Sequence, residues 1–227
     1  MTMKKTNTLA LNKNLLRHIR MNLNEFNNLT HQRQGEKRAA VAITVVSVSH
    51  DSNVYGMSGH EYAKDNAALI LTRRTEKLKQ HSGQWAFPGG SLDQNETPED
   101  AALRELSEEV GLVLGRDRIL GRLDDFTTRS GFIITPVVIW GGSDVNLRPN
   151  PAEVKSIHRI PIKEFMREDA PILHDVPGNE NPILLMPVGN SWIAAPTAAL
   201  IYQFREVAIL GRNTRVAHFE QPLFAWQ

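Results

Sequence analysis

The segment 97–112 constrains the fold more than any other part of the sequence. Thr97 can cap a helix, Pro98 suits its first turn and Gly111 is a natural stop. Between these signals the apolar residues recur at helical spacing and fall within about a 60° arc. They are Leu103, Leu106 and Val110. The segment therefore predicts an amphipathic helix over 97–110.

Three glutamates crowd one stripe of this helix. Glu105, Glu108 and Glu109 stand at positions i, i+3 and i+4, so their side chains converge. Carboxylates ~4 Å apart repel by about 1 kcal/mol in water and about 4 kcal/mol near a protein surface. A solvated acidic face is one interpretation, but the crowding favours a divalent cation. Because the chain has no cysteine and no paired histidines, Mg²⁺ is the best fit, and Mn²⁺ could substitute for it.

The residues around this helix support a phosphate-handling site. Arg104 flanks the acidic stripe and can pair with Glu108 or with Glu96 before the helix. Gly89 and Gly90 allow close backbone approach after a short predicted strand. A strand, a glycine turn, a loop and an acidic helix can together hold a metal ion against phosphate oxygens.

These residues resemble a known motif. The spacing from Gly90 to Glu96 and then to the segment 104–112 matches the Nudix box, G-x5-E-x7-R-E-U-x-E-E-x-G-U with U apolar, at every fixed position. The resemblance implies an α/β fold, a Nudix-type α/β/α sandwich with a mixed β-sheet between helices. It also implies hydrolysis of a nucleoside diphosphate linked to another group.

The resemblance implies roles for individual residues as well. Glu105, Glu108 and Glu109 would be metal ligands, and Gly90 would contribute through its backbone. Arg104 and Glu96 would support these carboxylates. The catalytic set expected from the box is Glu96, Arg104, Glu105, Glu108 and Glu109.

A second motif upstream resembles that of coenzyme A pyrophosphatases. It runs from Ile70 through Thr75, Lys79 and Gly83 to the glycine turn, and its spacing is kept throughout. Four positions differ from that motif. Ile70 stands for Leu, Thr75 for Ser or Ala, Lys79 for Arg and Trp85 for Val. The lysine keeps the charge but loses the bidentate phosphate fork of arginine.

The same stretch concentrates positive charge between a predicted strand and the glycine turn. The substrate-binding candidates are Arg73, Arg74, Lys79 and His81, with Lys77 beside them. They can hold a polyanion such as coenzyme A, which carries a 3′-phosphate besides its diphosphate. The alternative is a solvated basic loop facing the acidic helix.

A carboxylate outside the box often completes the metal site or acts as the base in Nudix enzymes. Glu153 is the candidate here, because it starts a predicted strand directly after a turn. Its alternative role is that of a charge at a surface edge.

The remaining pattern predicts the elements around the site. Strands are expected over 41–48, 67–72, 85–87, 119–126, 132–140 and 154–160. A closing helix is expected over 196–209. Five prolines from Pro161 to Pro187 predict short irregular pieces between them.

The charge is distributed unevenly along the chain. The first 40 residues hold eight lysines and arginines against two glutamates, although the whole chain has a net charge of +1. Leu16, Ile19, Leu23 and Phe26 recur at helical spacing, which favours an amphipathic helix packed on the domain. We therefore divide the chain into a basic helical arm over 1–38 and a Nudix domain over 39–227.

The sequence favours a small-molecule substrate over nucleic acid or a membrane. No stretch reaches the ~18 apolar residues of a membrane span, so a cytoplasmic location is expected. The leading hypothesis is Mg²⁺-dependent hydrolysis of coenzyme A or its derivatives to 3′,5′-ADP and 4′-phosphopantetheine. Alternatives are a hydrolase of ADP-ribose, NADH or another nucleoside diphosphate derivative, and a non-catalytic regulator whose arm contacts nucleic acid. The oligomeric state is open, with a homodimer as one option.

Overall fold

The computed structural model describes residues 9–31, 36–48, 56–57, 63–75, 83–175, 178 and 180–221. The helices in these ranges are α1 (Lys13–Glu25), α2 (Pro98–Val110) and α3 (Thr197–Phe204), which a π-helical turn (Arg205–Ile209) continues. The strands are β1 (Lys37–Ser47), β2 (Ala67–Arg74), β3 (Trp85–Ala86), β4 (Gly89–Ser91), β5 (Ile119–Arg122), β6 (Phe126–Thr127), β7 (Phe132–Gly142), β8 (Val154–Pro161), β9 (Ile172–His174), β10 (Ile183–Val188) and β11 (Ser191–Ala194). Short 3-10 turns lie at Arg116–Arg118 and Ile162–Met166.

Eight of these strands form one mixed sheet. Its order is β3-β2-β1-β7-β5, while β4 pairs with β1, β6 with β7 and β8 with β2. The long central strands β1 and β7 run parallel, and the other pairs are antiparallel. Strands β9, β10 and β11 form a second, antiparallel sheet.

Apolar side chains cover both faces of the mixed sheet. On one face, α2 packs through Ala102, Leu106 and Val110 against β1, β2 and β7. The other face lies under α1, α3 and the second sheet, with Leu69, Phe126 and Phe204 among the fully buried side chains. The expected α/β/α sandwich with a mixed sheet is confirmed.

The helix α1 is part of the larger core. Asn12 caps it by accepting hydrogen bonds from the amides of Asn14 and Leu15. Its buried apolar side chains are Leu15, Ile19 and Leu23, with Phe26 just beyond its end. Leu16, which the pattern placed on this face, is only partly buried.

Polar side chains of α1 also bind the π-helical turn. The Nε2 atom of His18 lies 2.8 Å from the carbonyl oxygen of Ile209, and Asn22 Nδ2 donates to that of Ala208 at 3.0 Å. The division of the chain at residue 38 stays a prediction, and β1 begins at Lys37, so this strand spans the proposed boundary.

Two predicted elements differ from the structure. The single strand expected over 119–126 is divided into β5 and β6, because the chain between them leaves the pairing with β7, and the amide of Asp125 donates to the carbonyl oxygen of Leu29 at 2.9 Å. Asp124 Oδ1 accepts from the amide of Leu29 at 2.7 Å, and Asp125 Oδ1 accepts from the Thr135 hydroxyl at 2.6 Å. The closing helix is α-helical only to Phe204 and π-helical from there to Ile209.

The proline-rich segment holds a sheet that the sequence pattern did not predict. Strands β9, β10 and β11 lie between Pro171 and Pro196, and the side chains of Leu184, Met186 and Ile193 are fully buried. No helix in the described part of the chain has the length and hydropathy needed to cross a bilayer.

Candidate metal and substrate site

The helix α2 forms as its end signals predict. The Thr97 side chain accepts from the amide of Asp100, and Gly111 ends the helix in the left-handed conformation at a φ of 71°. Asp100 also pairs with Arg116, and Glu99 with Arg122, so both acids of the first turn are bound to cations. These contacts fix the axis that carries the three glutamates.

Two of those glutamates meet a third carboxylate from another part of the chain. Oxygen atoms of Glu105, Glu109 and Glu153 all lie within 4.8 Å of one another. Glu105 and Glu109 are 9% and 3% exposed, whereas Glu153 is exposed. The structure thus brings together two predicted box ligands and the carboxylate expected from outside the box.

Backbone hydrogen bonds place Glu153 beside the helix. The amides of Arg148 and Asn150 donate to the carbonyl oxygens of Val110 and Glu109, each at 2.9 Å. These carbonyls belong to the last turn of α2, where no intrahelical partner is available. The carbonyl of Glu153 in turn accepts from the amide of Thr75 at 2.9 Å. The 148–153 segment is therefore held between the end of α2 and the end of β2.

The two buried carboxylates are electrostatically strained. Burial, and then the charge of Glu105, raise the pKa of Glu109 to about 8. Burial also raises the pKa of Glu105, although the hydrogen bond from Arg104 opposes that change. A divalent cation would neutralise the negative charge of these carboxylates. Together with Glu153 they supply the hard oxygen ligands that Mg²⁺ and Mn²⁺ prefer. The residues present fit such an ion.

Arg104 binds the surrounding acidic residues. Its Nε and Nη2 atoms donate to the two carboxylate oxygens of Glu96 at 2.9 and 3.0 Å. Its Nη1 atom donates to Glu105 at 2.8 Å and to Glu108 at 3.1 Å. Glu108 is exposed and lies outside the three-carboxylate group, so the structure places it with Arg104.

The glycine turn lies against the same carboxylates. A Cβ atom on Gly90 would stand 2.2 Å from Glu105 Oε1, so only glycine leaves room for that carboxylate. The amide of Gly89 forms a hydrogen bond that lowers the pKa of Glu109 and partly offsets its burial. Strand β4 therefore positions two backbone units against the acidic helix.

Comparison with known proteins identifies the family. The profile of the NUDIX domain matches residues 62–176, just over half of the chain. The chain belongs to the Nudix family. This match covers the glycine turn, α2 and Glu153.

Relatives with curated names support the same family. An uncharacterized Nudix hydrolase NudL of Photorhabdus laumondii subsp. laumondii is 38% identical over 104 residues, which are 45% of this chain and 56% of that protein. A NudL of Yersinia enterocolitica is 39% identical over 100 residues, which are 44% of this chain and 51% of that protein. The chain thus spans about half the length of the curated relatives it matches.

A solved structure supports the fold. The MutT/nudix family protein from Enterococcus faecalis has a TM-score of 0.51 and 18% sequence identity. The alignment covers 78% of this chain and 64% of that one.

Arg73 and Arg74, neighbours on β2 within the upstream motif, make different contacts. The charge of Arg74 acts on Glu109. The Arg73 guanidinium instead lies over the Trp85 ring, with its Cζ atom 4.9 Å from the centroid. Lys79 and His81, the other substrate-binding candidates, lie outside the described residues.

A cleft of about 330 Å³ is lined in part by Arg74 and Gly89, both of which interact with Glu109. Arg74 and Gly89 line the end near Glu109, while Phe132, Thr197 and Leu200 line other parts of its wall. The cleft walls come from β1, β3, the β6–β7 turn and the start of α3, which are far apart in sequence. Sequence reasoning missed these wall residues because no motif joins them.

Proposed function

We propose that this Nudix protein hydrolyses the diphosphate linkage of a nucleoside diphosphate derivative in the presence of a divalent cation. The observation that carries the proposal is the meeting of Glu105, Glu109 and Glu153. Their geometry explains why a helix keeps mutually repelling carboxylates in buried positions. The hydrolytic activity, the substrate and the metal ion of the whole protein are all parts of this proposal.

In this proposal the three carboxylates would hold Mg²⁺ or Mn²⁺. The bound cation would supply charge neutralisation for the diphosphate oxygens and acidify the attacking water. Arg104 keeps Glu105 in place through the hydrogen bond at 2.8 Å. Arg74, between Glu109 and the cleft, would donate to a phosphate oxygen. The exposed Glu153 is the candidate base, because it is open to water and close to the other two carboxylates.

Coenzyme A or an acyl derivative is the proposed substrate. The support is the upstream motif, whose described residues lie on β2 and at the glycine turn, beside a cleft lined by Arg74 and by residues of α3. The apolar wall formed by Val41, Phe132 and Leu200 suits the chain of the pantetheine half. The products would be 3′,5′-ADP and 4′-phosphopantetheine.

A side-by-side assay tests this substrate choice. Purified protein with Mg²⁺ is offered coenzyme A, ADP-ribose, NADH and a diadenosine polyphosphate, and products are separated by chromatography. We expect the highest kcat/KM for coenzyme A. Selective cleavage of ADP-ribose or NADH would support the alternative Nudix hydrolase and overturn the coenzyme A proposal.

A cytoplasmic location stays a prediction.

The non-catalytic regulator is tested separately. The face of α1 that carries Ile19 is buried against the core, while Arg17 and Arg20 are exposed. A salt-sensitive gel shift with duplex DNA, together with no hydrolysis of any diphosphate in the panel, would support the regulator. Hydrolysis without a shift would support the enzyme.

A further inference from the structure

The segment 216–221 crosses from the second sheet to the mixed sheet, and it is called the strap below. Its residue Glu220 forms a parallel bridge with Ile183 of β10, and the Glu220 amide donates to the carbonyl oxygen of Pro182 at 3.0 Å. The next residue, Gln221, binds the start of the β6–β7 turn and lines the cleft. The strap therefore joins the second sheet to the wall of the proposed substrate site.

Apolar packing anchors the start of the strap. Val216 is 1% exposed and belongs to the larger core. The Phe219 ring packs edge-on against Tyr202 of α3, with the ring centroids 6.0 Å apart. The amide of Phe219 donates to the carbonyl oxygen of Val216 at 3.1 Å, which closes a turn. The position of this end therefore does not depend on the polar contacts at the other end.

Polar contacts hold the other end of the strap to the β6–β7 turn. Arg129 Nη2 donates to Glu220 Oε2 at 2.5 Å, and the two side chains are 39% and 23% exposed. The amide of Arg129 donates to Gln221 Oε1, and Gln221 Nε2 donates to the carbonyl oxygen of Thr127, each at 3.2 Å. We call these three contacts the latch. Because exposed ion pairs add little to stability, the latch can open while the rest of the protein stays folded.

The latch lies in the wall of the cleft. Thr128, Arg129 and Ser130 of the turn line the cleft together with Gln221 of the strap. The residues that the latch joins are 92 positions apart in the sequence. The rest of the wall comes from β1, β3, β7, the glycine turn and α3, where strand pairing and core packing fix the residues. The latch therefore closes the wall between a hairpin turn and a distant segment of the chain.

The side chains of the latch have their polar groups engaged with one another or with the backbone. The carboxylate of Glu220 compensates the charge of Arg129, and both ends of the Gln221 amide group bind backbone groups. A ligand in the cleft therefore meets these side chains mainly as a steric barrier. The space at this part of the cleft depends on whether the latch is closed.

We infer that the strap limits the size of the substrate that the cleft accepts, and that Arg129, Glu220 and Gln221 are its specificity-determining residues. This inference rests on the proposed hydrolysis of coenzyme A derivatives and concerns the same cleft. A closed latch admits coenzyme A but hinders a derivative whose thioester carries a long acyl chain. An open latch removes that barrier and leaves the carboxylates in place, because the latch and the three-carboxylate group share no residues.

The test compares two substrates that share the diphosphate and differ only in the acyl chain. The kcat/KM is measured with Mg²⁺ for coenzyme A and for octanoyl-coenzyme A. We expect the wild type to prefer coenzyme A by at least ~10-fold. E220Q breaks the ion pair and keeps the shape of the side chain, so the preference should fall by at least ~5-fold through a lower KM for the thioester. Q221A should show the same change.

A charge swap and a distant ion pair make this result specific to the latch. R129E should weaken the preference as E220Q does, and the double variant R129E/E220R should restore it to within about threefold of the wild type. D169N removes the carboxylate of an exposed ion pair with Arg167 outside the cleft, so it should keep the wild-type preference. A wild-type preference near unity would overturn the inference. Preferences in E220Q and Q221A equal to that of the wild type, or no recovery in the double variant, would do the same.

A binding measurement separates failure of this inference from failure of the proposed hydrolysis. In EDTA, calorimetry compares coenzyme A with octanoyl-coenzyme A for the wild type, E220Q and D169N. We expect the wild type and D169N to bind coenzyme A at least ~10-fold more tightly, and E220Q to narrow that difference by at least ~5-fold. If this pattern appears and no diphosphate is hydrolysed, the proposed function fails and the size limit stands. Equal affinities for the two compounds in the wild type would remove the size limit, whatever the enzyme hydrolyses.

Discussion

Glu109 combines deep burial with a negative charge at the wrong end of a helix. It is 3% exposed, lies in the last turn of α2 and faces Glu105 and Glu153. A buried carboxylate without a cation shifts toward its neutral form. The residue is therefore informative about both the stability and the activity of the protein.

The stability of the metal-free protein should depend on Glu109. Burial raises the pKa of Glu109 from 4.5 to about 8, so the unfolded state loses this proton at a lower pH than the folded state does. The free energy of unfolding therefore falls as the pH rises through that interval. We expect E109Q in EDTA to melt higher than the wild type at about pH 8.5, by at least ~2–4 °C, and the gap to shrink toward pH 4.5. Calorimetric scans over this pH range measure it. A wild type that melts higher than E109Q in EDTA at the alkaline end would contradict the burial argument.

Gly90 leaves the space that the Glu105 carboxylate occupies. In G90A the new Cβ would stand 2.2 Å from Glu105 Oε1, so the carboxylate must move. We expect the affinity for Mg²⁺ to fall by about 10- to 100-fold, as measured by calorimetric titration. S91A, one residue along β4, is the control and should bind Mg²⁺ as the wild type does. Equal affinities in G90A and S91A would show that the close contact is unimportant.

Among the elements, α2 and its two ends could be predicted from the sequence, whereas the second sheet could not. End signals at Thr97 and Gly111 and the i, i+4 spacing of Glu105 and Glu109 are local, so the sequence contains them directly. Glu153 lies close to α2 because it directly follows a turn. The sequence also indicated that position after a turn. Strands β9 to β11 lie among prolines, and their pairing depends on burial against α3 rather than on local pattern.

The helix α1 makes a prediction of its own because it supplies core residues. Ile19 is fully buried between α1 and the rest of the core, whereas the adjacent Arg20 is exposed. We expect I19A to lose about 2–5 kcal/mol of unfolding free energy, or roughly 4–20 °C in Tm. R20A is the control and should melt within about 1 °C of the wild type. A matching small effect in I19A would mean that the arm is dispensable for folding.

At the scale of the whole molecule, the sheet brings the site together from distant segments. The carboxylates come from α2 and the 148–153 segment, Arg74 from β2, and the cleft wall from the β6–β7 turn and α3. The α/β/α layering could be predicted from the order of elements and the Nudix resemblance. The walls of the cleft could not, because they depend on which strand faces meet across the sheet.

Metal-dependent hydrolysis by the three-carboxylate group is the central claim, and one measurement tests it most directly. The rate of coenzyme A cleavage is followed against Mg²⁺ concentration for the wild type, E109Q and the surface variant D117N, whose side chain is 79% exposed. We expect saturable activation by Mg²⁺ in the wild type and D117N, and a kcat at least ~10²-fold lower in folded E109Q. Near-normal turnover by E109Q at every Mg²⁺ concentration would contradict the account.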